Sequence, residues 1–135
     1  MNKVVITGAS SGIGKSIAYH FHKQKWQTLL VARNEERLKA LSKELNDAPY
    51  FVCDLALPEQ VASLTELLNK DHSDINSLIN NAGIYQPLSI HEDKDSVWEN
   101  HFNTNLMSAV RLTRGLWPQL KRNSASILNI SSTLG

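Results

Sequence analysis

The chain has 135 residues, enough for one domain with a real core, and its 41% hydrophobic and 20% charged content is that of an ordinary folded protein. A net charge of +1, with no basic stripe interleaved with aromatics, leaves no electrostatic footprint for nucleic acid. One cysteine excludes an internal disulfide and a cysteine metal cluster, and no apolar run is long enough to cross a bilayer.

In chain order, Val4-Val5-Ile6 is a short β-branched run that predicts a first strand. Thr7-Gly8-Ala9-Ser10-Ser11-Gly12-Ile13-Gly14 follows at once, and a helical pattern over roughly Gly12–Gln24 carries Ile13, Ile17, Ala18 and Phe21. Strand, glycine-rich turn and helix together set a helix N-terminus against a diphosphate. Of such glycines one permits the sharp turn, one admits the phosphates to the backbone N–H groups, and one lets helix and strand pack closely. Thr28–Val31 is the second strand, and Asn34 is the N-cap of a helix with Glu35 and Glu36 in its first turn and Leu38, Leu41 and Leu45 on one face. Tyr50–Cys53 is the third strand, with Cys53 a buried thiol beside Phe51 and Val52. Pro58 opens a helix whose buried side is Val61, Leu64, Leu67 and Leu68. Ser77–Asn80 is the fourth strand. The longest helical pattern runs from Ser96 to Lys121, with Phe102, Leu106, Ala109, Leu116 and Leu120 on its apolar face and Pro118 as a site of kinking. Ser126–Ile130 is the fifth strand.

Apolar strands without alternation, separated by helices, predict parallel strands buried on both faces. Right-handed crossovers then give an open, doubly wound α/β sheet ordered 3-2-1-4-5 in a single domain over residues 1–135. Lys25 stands where glycine would close the first helix, so a left-handed conformation there costs on the order of 1 kcal/mol. Lys3 precedes only a short apolar run broken at Gly8, so no secretory leader is expected and the default location is cytoplasmic.

Four motifs in register, Thr7-Gly8-x-x-x-Gly12-x-Gly14, Asn80-Asn81-Ala82-Gly83, Asn103-Thr104-Asn105-Leu106 and Asn129-Ile130-Ser131-Ser132, resemble the short-chain dehydrogenase/reductase family over the whole chain. The glycine spacing departs from the G-x-G-x-x-G of long-chain dehydrogenases and matches this family instead. The resemblance implies a Rossmann-type nucleotide-binding domain and hydride transfer between a nicotinamide and a carbonyl or alcohol. It also implies a small-molecule substrate and a homo-oligomer. Cofactor contacts are then expected from Gly8, Ser10, Ser11, Gly12, Ile13 and Gly14 in the loop. Asp54 would take the adenine amino group, with the Leu55 backbone nearby, and Asn81, Ala82 and Gly83 would pass the adenosine ribose. The plain competitors are a loop aspartate before a helix and an ordinary turn. Asn105 would break the long helix locally and hold a water in a proton relay, its competitor being a solvated helical asparagine. Ser132 stands where the family's substrate-orienting serine would be, and Ser131 is the weaker choice.

Cofactor preference follows from charge. NAD-binding relatives end the second strand on a carboxylate that pairs with the ribose hydroxyls. Here that place holds Ala32, followed by Arg33, whose guanidinium suits a 2′-phosphate and cannot be deprotonated. Ser11 adds a hydroxyl, so the expected cofactor is NADP(H) rather than NAD(H). No histidine among the five has ligand spacing, and no metal is expected.

In the family a tyrosine, with a lysine four residues later, handles the proton on a helix beyond the fifth strand. The one literal match here, Tyr19 and Lys23, lies on the first helix and reads as coincidence, since roles follow geometry rather than the string. The expectation is therefore a cofactor-binding half, incomplete at its C-terminal edge, that binds nucleotide without turnover by itself. The alternatives are a natural short binding module or an interaction fragment. The substrate is not legible.

Overall fold

The structure, a computed structural model, describes residues 1–84 and 87–131. Its strands are β1 (Lys3–Thr7), β2 (Gln27–Ala32), β3 (Tyr50–Val52), β4 (Ser77–Asn80) and β5 (Ser126–Asn129). They form one sheet, ordered β3-β2-β1-β4-β5, in which every pairing is parallel. The helices are α1 (Gly12–Lys23), α2 (Glu35–Glu44), α3 (Pro58–Asp71), α4 (Asp95–Phe102) and α5 (Ser108–Arg122), with a π-helical turn, Asn103–Met107, joining the last two. This is the doubly wound, Rossmann-type sheet that the alternating strand and helix signals predict.

Successive residues of a strand point to opposite faces, so each apolar run feeds two cores. Val5, Leu29, Val31 and Leu78 pack with Val61, Leu64 and Leu68 of α3 and Leu112, Leu116 and Leu120 of α5. Val4, Ile6, Leu30 and Ile79 pack with Ala18 of α1 and with Leu38, Leu41 and Leu45 at α2. Asn34 caps α2, its Oδ1 accepting the Arg37 N–H at 3.0 Å, and Pro58 occupies the first turn of α3. Lys25 is left-handed at φ 68°, as the missing glycine implies. Buried polar groups are tied across elements. Gln119 Oε1 accepts the Ile75 N–H at 3.2 Å while its Nε2 donates to Asn69 Oδ1 at 2.8 Å, locking α5 to α3.

Two expectations need correction. Leu67, placed on the buried side of α3, is 41% exposed; Thr65 takes the buried position, because the face that meets α5 is rotated toward it. The long helical pattern is not one helix. A π turn interrupts it, and neither that turn nor α4 buries a side chain: Phe102 is 56% and Leu106 49% exposed, and the buried face begins at Ser108, Leu112 and Leu116. Among the described residues the fifth strand is paired on one side, with β4, and all of its residues are exposed, Leu128 by 49%. Helix α5 runs through Pro118 to Arg122. Among the described residues no helix is long and apolar enough to cross a membrane.

Candidate functional site

Chain direction reverses about β1 and β4: the crossovers from β1 lead outward to β2 and β3, and the next strand returns to the other side of β1. Such a switch point leaves a crevice at the carboxyl ends of the strands. A cleft of about 640 Å³ lies there. Its floor is the β1–α1 loop, with Gly8, Ser10, Ser11 and Ile13; one wall is Arg33, Asn34 and Arg37 at the start of α2. Cys53, Asp54 and Leu55 follow β3 into it, and Asn81, Ala82, Gly83 and Ile84 follow β4, with Thr104 of the π turn at its edge.

Two helix N-termini face this cleft, and they differ. Helix α2 has its Asn34 cap and Glu35 and Glu36 in its first turn. Helix α1 has neither: Ser11 is extended at φ −157°, makes no side-chain cap bond, and no acid lies in the first turn. Its orphan N–H groups and positive dipole end are left facing outward, which suits a diphosphate. The glycines divide the work. A Cβ on Gly12 would meet nothing within 4 Å, yet φ +56° restricts the position to glycine. A Cβ on Gly14 would overlap the Gly8 carbonyl oxygen and stand 2.6 Å from Asn81 Nδ2. Gly14 is thus a packing glycine, buried beneath the loop, and does not line the cleft. Gly12 borders a separate apolar groove between α1 and Leu128.

Thr7, which the motif reading left without a role, is the anchor of the site. Its Oγ1 accepts the Asn81 and Ala82 N–H groups, both at 2.9 Å, and donates to Ile79 O at 3.4 Å. One hydroxyl therefore binds the exit of β4 to the exit of β1, and Asn81 Nδ2 adds a bond to Gly8 O at 3.4 Å. A threonine at a strand end gives no signal in sequence, because only pairing reveals which loop it meets. Asp54 Oδ1 accepts the Ala56 N–H at 3.0 Å, while the Asp54 N–H donates to Gln60 Oε1 at 2.7 Å. This turn holds the carboxylate at the cleft and leaves Oδ2 for a donor.

Asn105 sits on the π turn, so the helix is broken locally where the motif predicts. Its side chain is already committed: Oδ1 accepts the Ile84 N–H at 2.7 Å and Nδ2 donates to Ile84 O at 2.9 Å. Through these two bonds the side chain positions the loop after β4 directly. Ser132 lies outside the described residues, as does Tyr85. Tyr19 donates to Glu44 Oε2, tying α1 to α2 away from the cleft, and the Tyr19/Lys23 pair has no place in the site.

Arg33 lies on the cleft wall as its position after β2 predicts, and Arg37 joins it unforeseen. Its signal in the sequence is an arginine four residues after Arg33 at a helix start, obscured by the first-turn acids Glu35 and Glu36. Burial, with Asp54 beside it, pushes the Cys53 thiol up to about 11, so it is protonated at neutral pH and chemically quiet despite lining the cleft. Among the described residues no group of three or more His, Cys, Asp or Glu side chains is placed to hold a metal ion.

A family model of short chain dehydrogenases matches residues 2–135. An uncharacterized oxidoreductase of Bacillus subtilis, YvrD, is 34% identical over 136 residues, covering 98% of this chain and 51% of that protein. The NADP-dependent 3-hydroxy acid dehydrogenase YdfG of Escherichia coli K12 is 32% identical, over 98% of this chain and 54% of its own length. The chain thus spans about half the length of the curated relatives it matches. Among solved structures, L-sorbose reductase of Gluconobacter frateurii, complexed with NADPH and L-sorbose, superposes with a TM-score of 0.90 at 33% identity, covering 98% of this chain and 52% of that one. A metagenomic short-chain oxidoreductase in complex with NADP does so with a TM-score of 0.90 at 30% identity, covering 97% and 62%.

Proposed function

The chain belongs to the short-chain dehydrogenase/reductase family, and on that premise we propose that it forms the cofactor-binding part of an NADP(H)-dependent oxidoreductase acting on a small carbonyl or alcohol. The observation that carries this reading is the pairing of an uncapped α1 N-terminus with an arginine wall at the end of β2, where Ala32 replaces any carboxylate. When bound, the nicotinamide supplies or accepts the hydride. This chain's residues do the rest of the holding. Ser10, Ser11, Ile13 and the N–H groups opening α1 take the diphosphate, Gly12 keeping the approach clear and Gly14 the packing beneath it. Arg33, with the Ser11 hydroxyl, takes the 2′-phosphate. Asp54 Oδ2 accepts from the adenine amino group beside the Leu55 backbone, and Asn81, Ala82 and Gly83 flank the ribose. Asn105 keeps the loop after β4 open at the nicotinamide end, and Ser132 orients the substrate.

The test is a pair of affinities. NADPH is expected to bind more tightly than NADH, and Arg33→Ala to remove most of the difference, a loss of roughly 1.5–3 kcal/mol for a charged hydrogen-bonding partner. Calorimetry or NADPH fluorescence decides it, and equal affinities in the parent protein would overturn the NADP(H) assignment.

The same reading makes the assembled protein larger than one copy of these residues. Leu128, Ile127 and Ile130 stand exposed at β5, and Trp117 of α5, also exposed, shares a groove with Ile130. Each such side chain is worth ~1.5–3 kcal/mol when fully buried, against a domain's net stability of about 5–15 kcal/mol. A polypeptide of these 135 residues is expected to self-associate or bind a hydrophobic dye. Light scattering after size exclusion checks this, and a dye-free, cooperatively melting monomer would contradict it.

A further inference from the structure

Arg37 lines the same cleft wall as Arg33, and it stands in the first turn of α2, immediately after Glu35 and Glu36. A cation there opposes the helix dipole, whose positive end is at that terminus. It makes no ion pair: among the described residues the pairs are Lys3–Asp74 and Lys39–Glu35, the latter at 3.5 Å, and Asp54, which lines the same cleft, is in neither. The Asn34 cap draws the Arg37 backbone N–H to the residue beside Arg33, so one capping bond of 3.0 Å ties the backbone of the second arginine to the neighbour of the first. Both guanidinium groups are exposed to the cleft rather than packed away. An arginine that is unfavourable to its own helix, unpaired, and beside a second arginine is placed for an anion brought from outside.

We infer that Arg37 is a second specificity-determining residue for the cofactor, sharing the 2′-phosphate with Arg33 from the same wall of the cleft and favouring its dianionic form. The inference rests on the NADP(H) reading above. Two guanidinium groups supply more N–H donors than one phosphate ester has terminal oxygens, so neither needs to reach all three.

The probes are 2′,5′-ADP and 5′-AMP, which share adenine, ribose and 5′-phosphate and differ in the 2′-phosphate. Calorimetry on the parent chain, Arg33→Ala, Arg37→Ala and Arg37→Lys separates the outcomes. Arg37→Ala is expected to weaken 2′,5′-ADP by about tenfold or more and leave 5′-AMP unchanged, with Arg37→Lys between. By phosphorus NMR, the bound 2′-phosphate should titrate at higher pH in Arg37→Ala than in the parent, because one cation stabilising the dianion is gone. Thermal melting without ligand should hold steady or rise, since the change relieves the clash with the helix dipole, whereas a structural role would lower it. If the parent does not distinguish the two probes, the NADP(H) reading fails and takes this inference with it. Selectivity lost in Arg33→Ala but kept in Arg37→Ala overturns the role of Arg37 alone. Equal loss of both probes in Arg37→Ala overturns it as well.

Discussion

Replacing Gly14 with alanine is expected to cost this protein stability and nucleotide binding together. The new methyl would overlap the Gly8 carbonyl oxygen and lie 2.6 Å from Asn81 Nδ2, and the Gly8 oxygen, being backbone, cannot swing aside. Gly8 belongs to the turn leaving β1, and the Asn81 backbone beside it is held by its N–H to Thr7 Oγ1 at 2.9 Å. Overpacking of this kind costs about 1–3 kcal/mol, and each kcal/mol lowers the melting temperature of a small domain by several degrees, about 2–8 °C depending on size. The relief available to the chain is to push the β1–α1 loop outward, which spoils the aim of the N–H groups opening α1. Gly12→Ala separates packing from backbone strain in the melting comparison. Its methyl meets nothing within 4 Å, so it carries only the strain of a left-handed alanine, on the order of 1–2 kcal/mol. Differential scanning calorimetry with NADPH titration compares the two. Gly14→Ala with parental melting and affinity would show that the loop does not pack as described.

A mass-verified polypeptide of these 135 residues is expected to bind NADPH and leave carbonyl substrates unreduced. Hydride transfer to a carbonyl needs a proton at the developing alkoxide, and a positioned general acid typically supplies ~10²–10⁴-fold. None of the described tyrosines stands at the cleft. Tyr50 packs against the core on the α1 and α2 face, and Tyr19 spends its hydroxyl on Glu44. Following NADPH absorbance against a panel of ketones and aldehydes checks this. Robust turnover that disappears in Tyr19→Phe would refute it and make the Tyr19/Lys23 pair functional after all.

The local signals that sequence carries best are the ones that held. The β-branched run before Gly8, the Asn34 cap and Pro58 at a helix start each act within a few residues, so their outcome depends little on the rest of the chain. The sheet order also followed, because parallel strands with right-handed crossovers leave few arrangements. Periodicity misled where it had to be carried far. Helix α4 and the five-residue π turn bury no side chain on any face, so Phe102 and Leu106 stand exposed and the stripe reaches the core only from Ser108 onward. Leu67 likewise satisfies a helical pattern that the approach of α5 does not use.

The amino-acid sequence by itself determined the family, the strand–loop–helix that opens the chain, and the residue types at the cleft, because each is encoded in spacing along one segment. Tertiary structure alone decided which of those residues meet. It made Thr7 the clasp between β1 and β4, sent both ends of the Asn105 amide to Ile84, put Gly14 beneath the loop rather than in the cleft, and set Arg37 beside Arg33. These are contacts between segments far apart in the chain, or choices of which face a side chain presents. Neither is written in a pattern of neighbours, since the partner is chosen by how the helices seat on the sheet.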